Sequence, residues 1–448
     1  MNATPPPARS RVVGFKGCML IAAGVPFGIV VSILLGIYIW QRNLHNRVDT
    51  MLADIQARDE PVSPLDLSIR YQLPDGAKDT TELWLRGMAA LDGEEFGKDL
   101  AGLEFHTDDD AQFPIPGEPW VDADAAQSLL QKYADQLKLL HEAAEAEGDV
   151  RYDLKFEEGL MLMLPHCRQL RQAARLLQIE VAALAHQGDA DGAAQSIRTM
   201  GRLGETLRDE PVLISLLVRI AITRMNCETV RQTLPHVAYS NQQLVDMDAM
   251  LSERSFADGF HEALLGERVF GILAGEDPST MGPGNATLPR FMKNAGIVHY
   301  LNAMSRPVEI AAGDGPEVLT ELQELQEEIE LQIKTDRSFD KIFTAILLPA
   351  FHAGAEAAVK GEVELDATRA AIAIERYRRH HGRLPATLDA LVPDFLGRVP
   401  NDRFDGQPLR YAVDGNRVTI YSVGPNRQDD GGRSEDDADV KFEIAWPE

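Results

Sequence analysis

Nucleophile, base and anion-binding residue types meet at one place in the chain, MLMLPHCRQLRQAARLL, where His166 and Cys167 are followed by Arg168, Arg171 and Arg175. A thiol next to an imidazole is the pairing that a cysteine nucleophile and its general base require. Adjacent residues on a helix point in different directions, however, and an activated thiolate also needs an electropositive pocket. The local pattern therefore reads as two separately packed side chains. The three arginines fall at i, i+3 and i+7, a stripe able to bind a carboxylate or phosphate, or to pair with acids such as Glu180 or those of the next hairpin. Two His-Glu pairs, His141-Glu142 and His261-Glu262, continue as Ala-Ala-Glu and Ala-Leu-Leu and so lack the second histidine of a zinc-protease helix. Neither the nucleophile elbow G-x-S-x-G nor a phosphate-cradling G-x-x-x-x-G-K occurs. Asp108, Asp109 and Asp110 lack the loop glycine and distal glutamate of an EF-hand and read as a solvated turn. No residue is assigned a catalytic role, and the chain is read as not being an enzyme.

The elements that must position these residues are mainly helical. A chain of 448 residues with 44% hydrophobic and 25% charged residues is long enough for two or three compact domains. Its formal net charge of −26 repels phosphate backbones and speaks against nucleic acid as a partner. Cys18, Cys167 and Cys227 share no C-x-x-C spacing, which excludes a cysteine-rich zinc site or a disulfide framework.

From Gly17 to Gln41 no charged residue occurs, a length sufficient at 1.5 Å per residue for a hydrocarbon core of about 30 Å. Tyr38 and Trp40 close the run with residues suited to a membrane interface. The sequence thus predicts a cytoplasmic tail over 1–16, a single-pass transmembrane anchor over 17–41 in the N-in orientation, and an inner-membrane protein whose bulk lies on the periplasmic side. A charged, proline-containing stalk is expected over 42–80 and an α-helical domain over 81–335.

Within that domain Leu129, Leu130, Tyr133, Leu137 and Leu140 form a helical stripe. ARLLQIEVAALAHQGDADGAAQSIRTMGRLGETL is a helix, a Gly188-Asp189 break and a second helix, like one tetratricopeptide-type hairpin in an irregular bundle. PVLISLLVRIAI, from Pro211 to Ile222, is too short to span a bilayer and reads as a core helix with Pro211 near its first turn. Ser240 and Gln243 make a capping box. Met161 and Met163 read as core filler. Asn285-Ala-Thr is a glycosylation triplet of the kind that arises by chance.

From Asp366 the text changes. An amphipathic helix ends at Gly382, a short helical segment follows Pro385, and strands LRYAV and RVTIYSV flank Asp414-Gly415-Asn416. Ala373, Tyr377, Gly382, Leu384 and Pro385, the Leu388 to Pro393 turn, Asp402, Asp405-Gly406-Gln407-Pro408, Tyr411 and Tyr421-Ser422-x-Gly424 together resemble the globular part of the major pseudopilin of type II secretion systems. The apolar run before it, with Phe343-Thr344 and Pro349, is similar to a shortened pilin helix. The resemblance implies a small α+β module over 336–448, a long helix with a short antiparallel sheet, and a calcium ion in the closing acidic loop. Asp437 and Asp439 match the family's paired acids, Asn426 stands where an acid is usual, and a carbonyl near Val423 would add a further oxygen.

The expectation is a mainly α chain carrying a membrane anchor, a helical hairpin domain and a pseudopilin-like α+β module, acting as a structural or protein-binding component of a bacterial envelope with calcium as its implied cofactor. Two alternatives are an envelope hydrolase or processing factor with a site built from His166, Arg168 and Arg171, and an accessory of a type II secretion or pilus-like machine.

Overall fold

The computed structural model describes residues 15–103, 113–281, 290–313, 315, 317–335, 349–432 and 439–447. Asp108 to Asp110, the triplet at Asn285, Phe343-Thr344 and Asp437 lie outside them. The chain is mainly α, with one small antiparallel sheet near its carboxy terminus.

The first helix, α1 (Phe15–Gln56), runs through the predicted anchor and well into the predicted stalk. Among the described residues no helix is long and apolar enough to cross a membrane. This overturns the expected single-pass anchor, the N-in inner-membrane placement and the membrane as a partner. The uncharged run from Gly17 to Gln41 is one part of a 42-residue helix that carries on into charged and packed sequence. Beyond Arg42 the helix becomes one-sided: Val48 and Ile55 are buried in a cluster with Ile297, Val298 and Leu301.

The expected stalk is fastened in the same way. Ser63 caps α2 (Pro64–Arg70), its hydroxyl accepting from the Asp66 amide. The buried Arg268 donates from Nη1 to Glu60 Oε2 at 2.6 Å and from Nη2 to the Pro61 carbonyl at 3.3 Å, and Arg70 pairs with Glu262 at 3.1 Å. A buried guanidinium demands such partners, so the chain entering the body is held rigidly.

Short helices α3 (Thr81–Met88), α4 (Glu94–Leu100), α5 (Ala123–Lys132) and α6 (Ala134–Glu145) cover one flank. Leu129, Tyr133, Leu137 and Leu140 of the expected stripe are buried there. The predicted hairpin is present as α7 (Pro165–Gln187) and α8 (Ala190–Glu205). Gly188 closes α7 at φ +75°, a conformation costly for other residues, and Asp189 caps α8 through the Gly192 amide. Met161 and Met163 are exposed rather than core, because the 3₁₀ turn over 156–161 buries Phe156 and Gly159 instead.

The core helix α9 (Leu213–Thr233) extends well past Ile222, since Cys227, Val230 and Thr233 continue its buried face. The capping box opens α10 (Asn241–Ser252) as expected. Then come α11 (Ala257–Glu276), α12 (Arg290–Ala311), α13 (Glu317–Thr335) and the long α14 (Pro349–His381), which Gly382 terminates at φ +68°. The sheet runs β1 (Arg410–Asp414), β2 (Arg417–Ser422), β3 (Val440–Ala445), antiparallel throughout, with Ala412 opposite Thr419 and Ile420 opposite Phe442. Asp402 organises the preceding loop by accepting from the Phe404 and Val423 amides, Ser422 Oγ and Arg410.

One hydrophobic core reaches from Val181, Ile197 and Leu244 in the hairpin region to Ile420, Phe442 and Trp446 in the sheet. Arg231 lies over the Phe442 ring at 4.6 Å, and Trp446 Nε1 donates to the buried Glu375 at 2.7 Å. The α+β module is therefore packed onto the helical body through shared apolar and polar contacts.

Glu267 on α11 stitches two helices by accepting the Leu213 amide at the start of α9. Burial pushes its carboxyl up from 4.5 to about 7. Between those values the folded chain holds a proton that the unfolded chain has released, so this group lowers stability as pH rises from 4.5 to 7 and adds no further slope above. Glu267→Gln is expected to flatten that part of the melting-temperature profile relative to the unmutated chain, as thermal unfolding at half-unit pH steps will show.

Candidate functional site

Helix α8 carries a small residue, Gly201, one turn before its carboxyl end. A Cβ there would lie 2.5 Å from Arg254 Nη2 and 3.0 Å from Asn226 Nδ2. The missing side chain is what admits the guanidinium of Arg254, which follows α10, between α8 and α9. All three Arg254 nitrogens are buried without a hydrogen-bond partner, as are both amide atoms of Asn226 and the Thr223 hydroxyl. The nearest acid is Glu205, whose Oε1 stands 3.5 Å from Arg254 Nε. That carboxylate is already engaged by the buried Arg219, which donates to Oε2 at 3.0 Å and to Oε1 at 3.2 Å. Two guanidiniums thus share one carboxylate, and burial holds Arg254 below its ordinary range. Here two buried guanidiniums meet a single carboxylate, in a chain whose net charge is −26.

Arg254 lines a cavity of about 790 Å³ bounded by the end of α6, the loop 146–151, α8 and the end of α10. Arg198 and Arg202 stand exposed on its rim, with Glu147, Asp246 and Glu253 exposed among them. Arg151 on the same wall pairs with Asp209 at 2.8 Å. The lining mixes five arginines with seven acids. Such an arrangement disfavours a polyanion.

Behind the cavity wall lies a buried polar cluster. His166 Nε2 is 2.9 Å from Glu210 Oε1, Ser215 Oγ donates to Glu210 Oε2 at 2.5 Å, and Cys167 Sγ is 3.8 Å from Ser215 Oγ. Tyr71 donates to Glu210 at 3.4 Å and accepts from the Tyr152 amide, while the Tyr152 ring stacks on His166 at 4.2 Å. Tyr152 in turn donates to Thr206, which lines the cavity. Burial first, and Glu210 second, push the Cys167 thiol up to about 12, the reverse of what a nucleophile needs. Ser215 gives its proton to Glu210 rather than to His166, so the hydroxyl has no imidazole base.

The arginine stripe that drew attention in the sequence does not converge. Arg168 pairs with Asp92 at 3.4 Å and Arg175 contacts Gln172, while Glu180 is taken by His141 at 3.0 Å and Ser196 at 2.7 Å. Cys167 and Cys227 are both free and buried. In the closing acidic loop, Asp439 is buried and accepts from the amides of Asp430 and Gly432. Asn426 donates to Asp430 and accepts from the Gln428 amide, and the Val423 amide donates to Asp402. Asp439 and Asn426 of the expected calcium set thus have protein partners of their own.

Sequence reasoning missed Glu205, Arg219, Arg254 and Gly201. Arg219, an arginine inside an otherwise apolar helix, was the available signal, since a buried guanidinium requires a carboxylate nearby. Comparison with family models, with characterised proteins and with solved structures yields no match to this chain.

Removing the shared carboxylate would leave two buried guanidiniums without their carboxylate partner. Glu205→Ala is expected to cost about 3 kcal/mol or more, measured as a lowered urea midpoint, whereas the exposed Glu253→Ala should cost under about 0.5 kcal/mol.

Proposed function

We propose that this chain is a non-catalytic binding protein whose helical body takes a carboxylate-bearing peptide segment in the cavity floored by Arg254. The observation that carries this reading is the buried guanidinium of Arg254, which has no hydrogen bond and shares Glu205 with Arg219, in the wall of a cavity of about 790 Å³. An orphaned buried donor costs about 1–3 kcal/mol, more when charged, so it persists where something other than stability is served. A carboxylate offers the two acceptor oxygens that match the guanidinium fork, and Asn226 and Thr223 add further polar atoms beside it. The exposed acids Glu147, Asp246 and Glu253 favour a segment that is neutral or basic beyond that one group.

The α+β module is read here as a brace resembling a pseudopilin head. What supports the resemblance is the order of a long helix, a 3₁₀ turn at Leu388–Leu391, a loop organised by Asp402 and an antiparallel sheet. Its packing against α9 and α10 keeps the end of α10, and with it Arg254, in place.

The test is thermal and calorimetric titration of the full chain with glutarate, with inorganic phosphate, and with a short lysine-containing peptide bearing either a free or an amidated carboxy terminus. Saturable binding of the free-acid peptide, weakened at least tenfold by amidation and abolished by Arg254→Met, is expected. Arg254→Met should also raise the melting temperature of the unliganded chain, because it removes a buried charge that has no hydrogen bond and leaves Glu205 to Arg219. Equal binding of free and amidated peptides, or a variant that melts lower and binds as well as the unmutated chain, would overturn the reading.

A further inference from the structure

We propose that His166, Cys167 and Glu210 form a zinc site that staples the first turn of α7 to the connection between α8 and α9. The assignment stands apart from the cavity reading and uses none of its residues.

His166 Nε2, Cys167 Sγ and a carboxylate oxygen of Glu210 lie within 4.8 Å of one another, and all three residues are buried. Around tetrahedral zinc, bonds of about 2.0 Å to nitrogen and oxygen and about 2.3 Å to sulfur place ligand atoms roughly 3.3–3.8 Å apart. The observed separations bracket that range: nitrogen to oxygen is 2.9 Å, and the sulfur lies within 4.8 Å of both. Ser215 Oγ, bonded to Glu210 at 2.5 Å, occupies the fourth side as a ligand or as the anchor of a bound water.

The donor types select the metal. A thiolate with an imidazole suits zinc, whereas calcium and magnesium call for oxygen ligands throughout. Charge closes as well. One thiolate and one carboxylate balance the two positive charges of the ion, leaving a neutral group in a dry interior. On loading, the Cys167 thiol releases its proton to solvent and three protein bonds replace waters of the zinc ion, with no change of oxidation state. Outer contacts already orient the ligands: Tyr152 stacks on the imidazole at 4.2 Å and Tyr71 donates to Glu210 at 3.4 Å.

Neighbouring residues act together here because they do not converge on each other. Pro165 opens α7, and from the first turn His166 reaches Glu210 while Cys167 reaches Ser215, the two partners lying on either side of Pro211 and Val212.

The experiment uses the full chain stripped with a strong chelator and then titrated with zinc against a chromophoric competitor, with cobalt(II) as a spectroscopic substitute. One equivalent of zinc, a raised melting temperature and a thiolate-to-cobalt charge-transfer band are expected. Cys167→Ser should abolish the band and weaken zinc binding at least a hundredfold, while Cys227→Ser retains both. Absence of stoichiometric zinc on the folded chain, or a band that survives Cys167→Ser, would overturn the proposal. Should Cys167→Ser fail to fold, the titration of the unmutated chain decides alone, since a chain that takes up zinc with neither band nor stabilisation refutes the site.

Discussion

Glu205 stands between two buried guanidiniums, and the packing of α8, α9 and α10 depends on that arrangement. Arg219 comes from the middle of α9 and Arg254 from the segment after α10, so one carboxylate at the end of α8 joins three elements. Arg219 is further held by the Ser255 carbonyl and by the face of Phe256, which fixes the chain between α10 and α11. A charge buried this deeply is tolerable where its partners are rigid, and the surrounding apolar contacts supply that rigidity. Both buried guanidiniums draw on one carboxylate, which the exposed Arg208 also approaches at 3.9 Å, and Arg254 is left without a hydrogen bond. That missing bond is the physical basis for reading the adjoining cavity as a binding site.

The same accounting explains why the amino-terminal region is part of the body. Arg268 is almost fully buried on α11, and its partners are Glu60 and the Pro61 carbonyl, contributed by residues that composition alone assigns to a loose connection. Burying that guanidinium without them would cost several kcal/mol. The order of 56–71 is therefore set by a demand located far along the chain. Apolar contacts of Val48 and Ile55 with α12 continue the attachment into α1.

Features legible in the sequence are those decided within a few residues. Gly188 and Gly382 end helices at positive φ, Ser240 and Gln243 cap α10 reciprocally, and Asp414-Gly415-Asn416 turns β1 into β2. Local chemistry suffices for each. The candidate site was not legible, since Glu205, Arg219 and Arg254 are brought together by helix packing, and Gly201 matters through a neighbour it does not have in sequence. The arginine stripe on α7 misled for the converse reason: its i, i+3, i+7 spacing is a property of one helix, whereas its partners are set by what lies across from it. Hydrophobic length misled at the amino terminus, where α1 continues beyond its apolar run into a one-sided packing face.

A single stretch, 205–219, carries both polar centres. Glu205 and Thr206 face the cavity, Glu210 and Ser215 face His166 and Cys167, and Arg219 returns to Glu205. Tyr152 ties them across the wall, its ring on His166 and its hydroxyl on Thr206. The segment between α8 and α9 is short and its Glu210 is held at both oxygens, so it cannot shift at one centre without disturbing the other. Locking the His166 end would hold Glu205 and the floor of the cavity in one geometry, and a ligand that binds that geometry meets a preformed site. The polar interior of this helical body is thus a brace in which the groups that order the chain are the ones that shape its cavity.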